Sequence, residues 1–146
     1  MNVTLEAISR ENYEAVCDLY LPDDQQDRLA PNIWSLVESH YNAGTHRPRA
    51  ICLDGTPVGF VMWVHVGETK TSIWRLMVEH GHQRRGVGRK ALETALDDIR
   101  AERETSEIEI CYAADNGTAR AFYASVGFRE VGKSDDGEEC YAVITT

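Results

Sequence analysis

The sequence predicts a mixed α/β (α+β) fold, one sheet with helices on its faces, and three observations lead there. The chain has 146 residues, 42% of them hydrophobic and 27% charged, enough to bury a core within one domain. Short runs that alternate apolar and polar residues are interleaved with stretches whose apolar residues recur every three or four positions. These runs come in the order β-α-α-β-β-β-α-β-α-β-β, seven strands and four helices, too irregular for strict βαβ winding.

Val3, Leu5 and Ala7 alternate with polar residues and form the first strand. Ser9 is placed to cap a helix carrying Ala15, Val16 and Leu19 on one face. Residues 21–31 are a loop rich in Asp and Gln. After Pro31, Ile33, Leu36, Val37 and His40 have the i, i+3, i+4, i+7 spacing of a second helix. Residues 49–53 and 58–66 are strands around Asp54-Gly55-Thr56-Pro57, a hairpin turn signal. Residues 71–78 form a further strand containing Ile73, Trp74, Leu76 and Val78. A polar, glycine-containing loop then opens a long helix that buries Leu92, Ala95, Leu96 and Ile99. Residues 107–113 alternate as a strand, and Asn116 caps a short helix ended by Gly127. Residues 128–131 and 140–144 are two final strands around Ser134-Asp135-Asp136-Gly137. No repeat or linker divides residues 1–146, so a single domain is expected.

Fifteen Lys and Arg stand against 24 Asp and Glu, a formal net charge of −9. That balance argues against nucleic acid or an anionic membrane as partner and suits a cationic one. The longest apolar stretch, residues 58–66, is far short of the ~20 residues needed to span a bilayer. The first residues lack a basic region followed by an apolar one, so no signal peptide is expected. Cys17, Cys52, Cys111 and Cys140 are scattered singly and read as thiols of a cytoplasmic protein. His80 and His82 have no matching Cys or His partners, so no metal is expected.

The most informative segment is Gln83-Arg84-Arg85-Gly86-Val87-Gly88, between a strand and a helix. Glycines let the backbone turn tightly and bring a ligand close to main-chain N–H groups. The unpaired amides and positive dipole end of the new helix then face that ligand. Arg84, Arg85, Arg89 and Lys90 place four cations within seven residues, a local reversal of sign. An anion such as a phosphate or pyrophosphate belongs there, against the plainer reading of a basic surface loop. Gly86, Gly88 and Ala91 also match a dinucleotide-binding G-x-G-x-x-A. However, the polar run 80–85 separates the strand from the first glycine, and Asp115 lies 29 residues past Gly86 rather than the ~20 expected. A P-loop fails because no G-K-S/T closes the motif.

Gln83 to Gly88 fits the Q/R-x-x-G-x-G/A hallmark of the GNAT N-acetyltransferases, which begins the helix after the fourth strand. Their second hallmark, an Asn-initiated helix followed by a Gly-Phe strand, is matched by the segment from Asn116 to Phe128. The chain therefore resembles that superfamily along nearly its whole length. The resemblance implies a mostly antiparallel sheet of about seven strands flanked by four helices. Leu21-Pro22 with Asp24-Gln25-Gln26, Ala30-Pro31-Asn32 with Ser35-Leu36, and Trp74-Arg75 with Met77 look like the bacterial spermine/spermidine branch.

The resemblance implies acetyl-CoA as donor and a primary amine as acceptor, with a polycationic polyamine favoured and a homodimer plausible. It places Gln83, Arg84, Arg85, Gly86, Val87, Gly88 and Arg89 around the pyrophosphate, and the main chain of Leu76, Met77 and Val78 along the pantetheine arm. An N–H near Met77 or Val78 would face the thioester oxygen. Asn116, Ala119 and Tyr123 carry over from the second hallmark, Tyr123 as the catalytic acid. Tyr123 lies seven residues after Asn116, two helical turns, so both share one face. A phenol near ~10 facing a thiolate near ~8.5 can share or donate a proton; otherwise Tyr123 simply packs its helix. Asp24, Asn32, Glu38 and Trp74 are candidates for acceptor binding, as opposed to ordinary solvated surface.

An alkyl amine with a pKa of ~10.4 is only about one part in a thousand neutral near pH 7.4, a cost of ~4 kcal/mol. No carboxylate stands at Ser72, Ile73 or Trp74, where the superfamily has its usual base, and the sequence names no substitute. Rival readings keep the fold and change the acceptor to an aminoglycoside, an amino acid or a protein N-terminus, or make the domain a non-catalytic acetyl-CoA sensor.

Overall fold

In the computed structural model, residues 2–19 and 32–145 are described. Seven strands form one sheet: β1 (Val3–Ala7), β2 (His46–Leu53), β3 (Thr56–His65), β4 (Lys70–Val78), β5 (Glu107–Ala113), β6 (Arg129–Lys133) and β7 (Glu139–Thr145). Four α-helices occur among the described residues: α1 (Tyr13–Asp18), α2 (Asn32–Tyr41), α3 (Val87–Glu102) and α4 (Gly117–Val126). The spatial order is β1-β2-β3-β4-β5-β7-β6, and every neighbouring pair is antiparallel except β4 with β5. The element order and the mixed, mostly antiparallel sheet are those expected.

Local chemistry explains most boundaries. Asp54 (φ 50°) and Gly55 (φ 87°) are both left-handed, as a two-residue type I′ hairpin requires. Thr56 and Pro57 therefore belong to β3 rather than to the turn, with Pro57 opposite Cys52. Asn116 Oδ1 accepts the Ala119 amide at 3.1 Å and caps α4, which Gly127 ends at φ 118°.

Two helix expectations need correction. Ser9 does not cap α1 with its side chain; its carbonyl accepts from Tyr13 N at 3.1 Å. Asn12 instead fixes the entry, its Oδ1 accepting from Ser9 N and its Nδ2 donating to Ala7 O, both at 2.9 Å. In α2 the predicted apolar stripe is only partly turned inward: Leu36 packs on the sheet, but Ile33 is 59% and Val37 53% exposed while Ser35 and Ser39 are buried. Small serines let the helix lie close against the sheet, and Asn32 Nδ2 pins its start to Val16 O at 2.8 Å.

The larger core packs α3 and α4 on one face of the sheet, with Leu92, Ala95, Leu96 and Ile99 buried as the helical period predicts. A smaller core of Val16, Ala50, Cys52, Phe60, Met62 and Met77, with Leu36 against it, lies on the other face beneath α1 and α2.

The sheet divides at its one parallel pairing. β4 and β5 pair from Lys70 with Glu107 to Ile73 with Ile110 and no further. Beyond that point β4 stays on β3 to Val78, and β5 stays on β7 to Ala113. Trp74 begins the separation. Met62 pairs with Arg75 but Trp63 with Ile73, so Trp74 is an extra residue bulging from β4. The bulge resets alternation: Ile73, Leu76 and Val78 face the larger core, whereas Met77 faces the smaller one. Gly59 lets β3 approach this segment, since a Cβ there would collide with the Met77 carbonyl oxygen.

Candidate active site

The split opens into a groove of about 1660 Å³, lined by residues 72–78 of β4, 111–113 of β5, the start of α4 and the loop before α3. Along β4 the main-chain groups not paired with β3 point into this gap, an unused strand edge inside the molecule. Leu76, Met77 and Val78 lie on that edge.

At the mouth of the groove, the segment 83–88 turns into α3. A short 3₁₀ turn at His80–His82 leads in from β4, an element that the sequence patterns leave undivided from the loop. Gln83 Nε2 donates to Val78 O at 2.9 Å, tying the loop to the end of β4. Arg84 (φ 61°) and Gly86 (φ 81°) are left-handed, and Gly86 O accepts from Lys90 N at 3.1 Å to start the helix. The amides of Val87, Gly88 and Arg89 thus lack acceptors within the helix.

Gly88 tests whether the loop suits an anion. A Cβ there would meet only Val78 Cγ2, at an ordinary 3.7 Å, so the protein's own packing does not require glycine. The bare backbone instead leaves room for a group lying against the amides, which fits a pyrophosphate. The cations divide in role. Arg84 and Arg89 line the groove, Arg85 is exposed outside it, and the Val87 side chain is buried in the core. Arg89 is also held on the surface of α3, by Glu93 Oε1 at 3.1 Å and Ser125 Oγ at 2.9 Å.

Across the groove α4 presents Asn116, Ala119, Phe122 and Tyr123. Asn116 and the Ala119 amide are joined in the cap, so each has a structural duty as well. The Tyr123 ring stacks on Tyr112 at 5.7 Å and meets Phe122 and Phe128 edge-on at 5.2 and 5.8 Å. Burial among these rings, with Tyr112 adding to it, pushes its phenol up to about 12. Tyr112 is anchored in turn, its hydroxyl donating to Glu130 Oε1 at 2.6 Å, while Arg120 Nε donates to the same oxygen at 2.7 Å.

The acceptor candidates are not gathered into one place. Trp74 is 39% exposed, lines the groove and packs edge-on against His46 at 5.2 Å. Asn32 is occupied by Val16 O, with Met77 Sδ at 3.7 Å. Glu38 lies on α2 outside the groove lining, with Oε1 buried and unpartnered. Asp24 lies outside the described residues. The reverse face of the groove holds residues that sequence reasoning passed over: Glu109, Cys111, Glu139 and Tyr141. Alternation in β5 marks Glu109 and Cys111 as the off-core set, but only the pairing of β5 with β7 reveals their company. Among the described residues, no three His, Cys, Asp or Glu form a metal-holding group, and no helix is long and apolar enough to cross a membrane.

A sheet parted beside an anion-ready helix start is the architecture of the GNAT fold. The chain belongs to the acetyltransferase (GNAT) family, whose model matches residues 10–128. Mycothiol acetyltransferase of Beutenbergia cavernae is 39% identical over 71 residues, 48% of this chain but only 24% of that longer protein. Among solved structures, a spermidine N-acetyltransferase from Vibrio cholerae in complex with CoA and spermine is similar with a TM-score of 0.78 at 18% identity, over 98% of this chain and 95% of that one. An aminoglycoside acetyltransferase in complex with coenzyme A gives 0.80 at 16% identity, over 99% and 95% of the two chains. PaiA N-acetyltransferase from Thermoplasma acidophilum, in complex with coenzyme A, gives 0.75 at 16%, over 100% of each. At these identities the three structures show a shared fold.

Proposed function

We propose that the protein transfers an acetyl group from acetyl-CoA to a primary amine, with a polyamine such as spermidine or spermine as the acceptor. The observation that carries this reading is the parting of β4 from β5 directly beside the open amides of α3. Acetyl-CoA supplies the acetyl group as a thioester. The amides from Gln83 to Arg89, with the Arg84 and Arg89 side chains, hold the pyrophosphate, and Arg85 adds to the local positive field. The free edge at Leu76, Met77 and Val78 pairs with the amide-bearing arm as an added strand would. A main-chain N–H there, aimed at the thioester oxygen, stabilises charge that develops as the amine attacks. Asn116 and Ala119 shape the opposite wall.

Tyr123 donates a hydrogen bond from its hydroxyl to the departing sulfur. With its phenol near 12, the group stays protonated throughout the working range and acts as a firmly held donor. The acceptor approaches from the reverse face, past Trp74, with Asn32 and Glu38 on neighbouring α2 and Asp24, in the chain segment before α2, as the further acceptor candidates. The net charge of −9 favours a polycation over a neutral amine.

A thiol-release assay tests the reading, using acetyl-CoA with spermine, spermidine, putrescine, lysine, an aminoglycoside and an N-terminal peptide. The expected result is release with spermine and spermidine. Release only with another amine removes the polyamine acceptor and keeps acetyl transfer. Binding of acetyl-CoA without release on any amine overturns the enzyme in favour of a sensor.

A further inference from the structure

We infer that Glu139 is the base that takes the proton from the acceptor nitrogen, and that the Cys111 thiol positions its carboxylate at the throat of the gap. The inference rests on the acetyl-transfer reading and supplies the base that β4 lacks at Ser72, Ile73 and Trp74.

The register defines the throat. Ile73 with Ile110 is the last pair joining β4 to β5, so Cys111 is the first β5 residue past the split. Ile108, Ile110 and Tyr112 face the larger core, as do Cys140 and Ala142 on β7. Alternation therefore turns Glu109, Cys111, Glu139 and Tyr141 to the reverse face, opposite the side that α3 and α4 cover. Cys111 pairs with Tyr141 and Ala113 with Glu139, which makes Cys111 and Glu139 diagonal neighbours. The Cys111 Sγ donates to Glu139 Oε2 at 3.2 Å.

The charged neighbours separate the two carboxylates. Glu109 pairs with Lys70 Nζ at 3.1 Å, whereas among the described residues Glu139 has a thiol as its side-chain hydrogen-bond partner and no cation in an ion pair. Arg75 on β4 across the gap, Glu107 on β5, which meets Lys70 Nζ at 3.9 Å, Tyr141 on β7 and Asp135 in the β6–β7 turn are further charged or titratable groups on this face. Cys111 is exposed at the groove, yet partial burial, then the hydrogen bond to Glu139, pushes its thiol up to about 12, so it remains a donor. The carboxylate keeps free lone pairs directed by that single bond.

The neutral amine bonds to the thioester carbon and its N–H becomes acidic as the new C–N bond forms. That proton passes to a Glu139 carboxylate oxygen, directly or through one water, while the C–S bond breaks and the sulfur leaves as a thiolate that accepts a hydrogen bond from the Tyr123 hydroxyl. Loss of the Glu139 proton to solvent restores the site, and the released thiolate takes up one proton from solvent. The net products are the N-acetyl amine and the free thiol.

The test compares wild type, Glu139→Gln and Glu107→Gln in a Cys17→Ser background, using the panel amine that turns over fastest. Glu139→Gln should lower kcat by roughly 10²-fold at neutral pH. KM values and acetyl-CoA affinity by calorimetry should be unchanged, and the deficit should narrow as pH rises and hydroxide replaces the lost base. Glu107→Gln, on the same face of β5 but outside the groove lining, should retain kcat. Without any substrate, iodoacetamide should modify Cys111 faster in Glu139→Gln than in wild type, because the thiol is released from the carboxylate. Cys111→Ser should restore most of the kcat that Cys111→Ala loses. Wild-type kcat in Glu139→Gln, a loss confined to KM, or unchanged Cys111 reactivity each overturns the assignment. A wild type that transfers acetyl to no amine overturns the acetyl-transfer reading and this assignment with it.

Discussion

Tyr123 owes its chemistry to the rings around it. Tyr112, Phe122 and Phe128 strip water from the phenol and raise its pKa, and the stacked Tyr112 is itself locked by Glu130. Tyr123→Phe keeps every ring contact and removes only the hydroxyl. It should lower kcat by roughly 10²-fold while acetyl-CoA affinity by calorimetry stays at the wild-type value. Unchanged turnover would make Tyr123 a packing residue. At this scale the sequence showed half of the site. Gln83, Gly88, Asn116 and Tyr123 sit in local motifs whose spacing is meaningful within one helix or loop. Cys111 and Glu139 are 28 positions apart, and their contact depends on which strand β5 chooses as partner. Nothing in local periodicity encodes that choice. Arg89 shows the converse: its place in the motif is legible, but its bonds to Glu93 and Ser125 depend on how α4 docks.

Among the elements, β4 supplies the free edge of the candidate groove, and its shape comes from one surplus residue. Trp74 reads as an ordinary member of an alternating strand, so sequence alone gives no sign that alternation restarts after it. The bulge is a property of pairing with β3, which keeps Met62 on Arg75 and Trp63 on Ile73. Gly59 supports the same segment from the β3 side. Gly59→Ala should push β4 outward at Met77, lowering both Tm and acetyl-CoA affinity, whereas Gly88→Ala should leave Tm unchanged and weaken acetyl-CoA alone. Thermal melts with and without acetyl-CoA separate the two effects. α2 is the element where the helical period was right and its phase was shifted, leaving Leu36 packed inward but Ile33 and Val37 exposed. An apolar stripe normally marks the buried side, but here Ser35 and Ser39 occupy it because Asn32 and the close sheet fix the helix rotation.

For the whole molecule, charge and fold combine. A body at −9 with cations concentrated at one helix start attracts a polycation broadly and an anion at one point. The KM for spermidine should therefore rise with ionic strength, and more steeply than the KM for a monoamine; equal salt dependence would remove long-range attraction from the account. Titration of the rings gives a second global test. Tyr112 and Tyr123 are both pushed from 10.0 up to about 12 by burial, with Glu130 adding to Tyr112 and Tyr112 adding to Tyr123. Between those values the unfolded chain gives up phenolic protons that the folded state keeps. Stability should then fall as pH rises through that window, and Tyr123→Phe should flatten the fall in Tm.

The central claim is that the parted edge of β4 and the amides before α3 hold acetyl-CoA together. Amide hydrogen exchange with and without acetyl-CoA tests it most directly. The account expects slowed exchange in residues 74–78 and 83–89, with Gly88→Ala reducing both effects. Protection confined to other strands, or no protection at saturating acetyl-CoA, would contradict it.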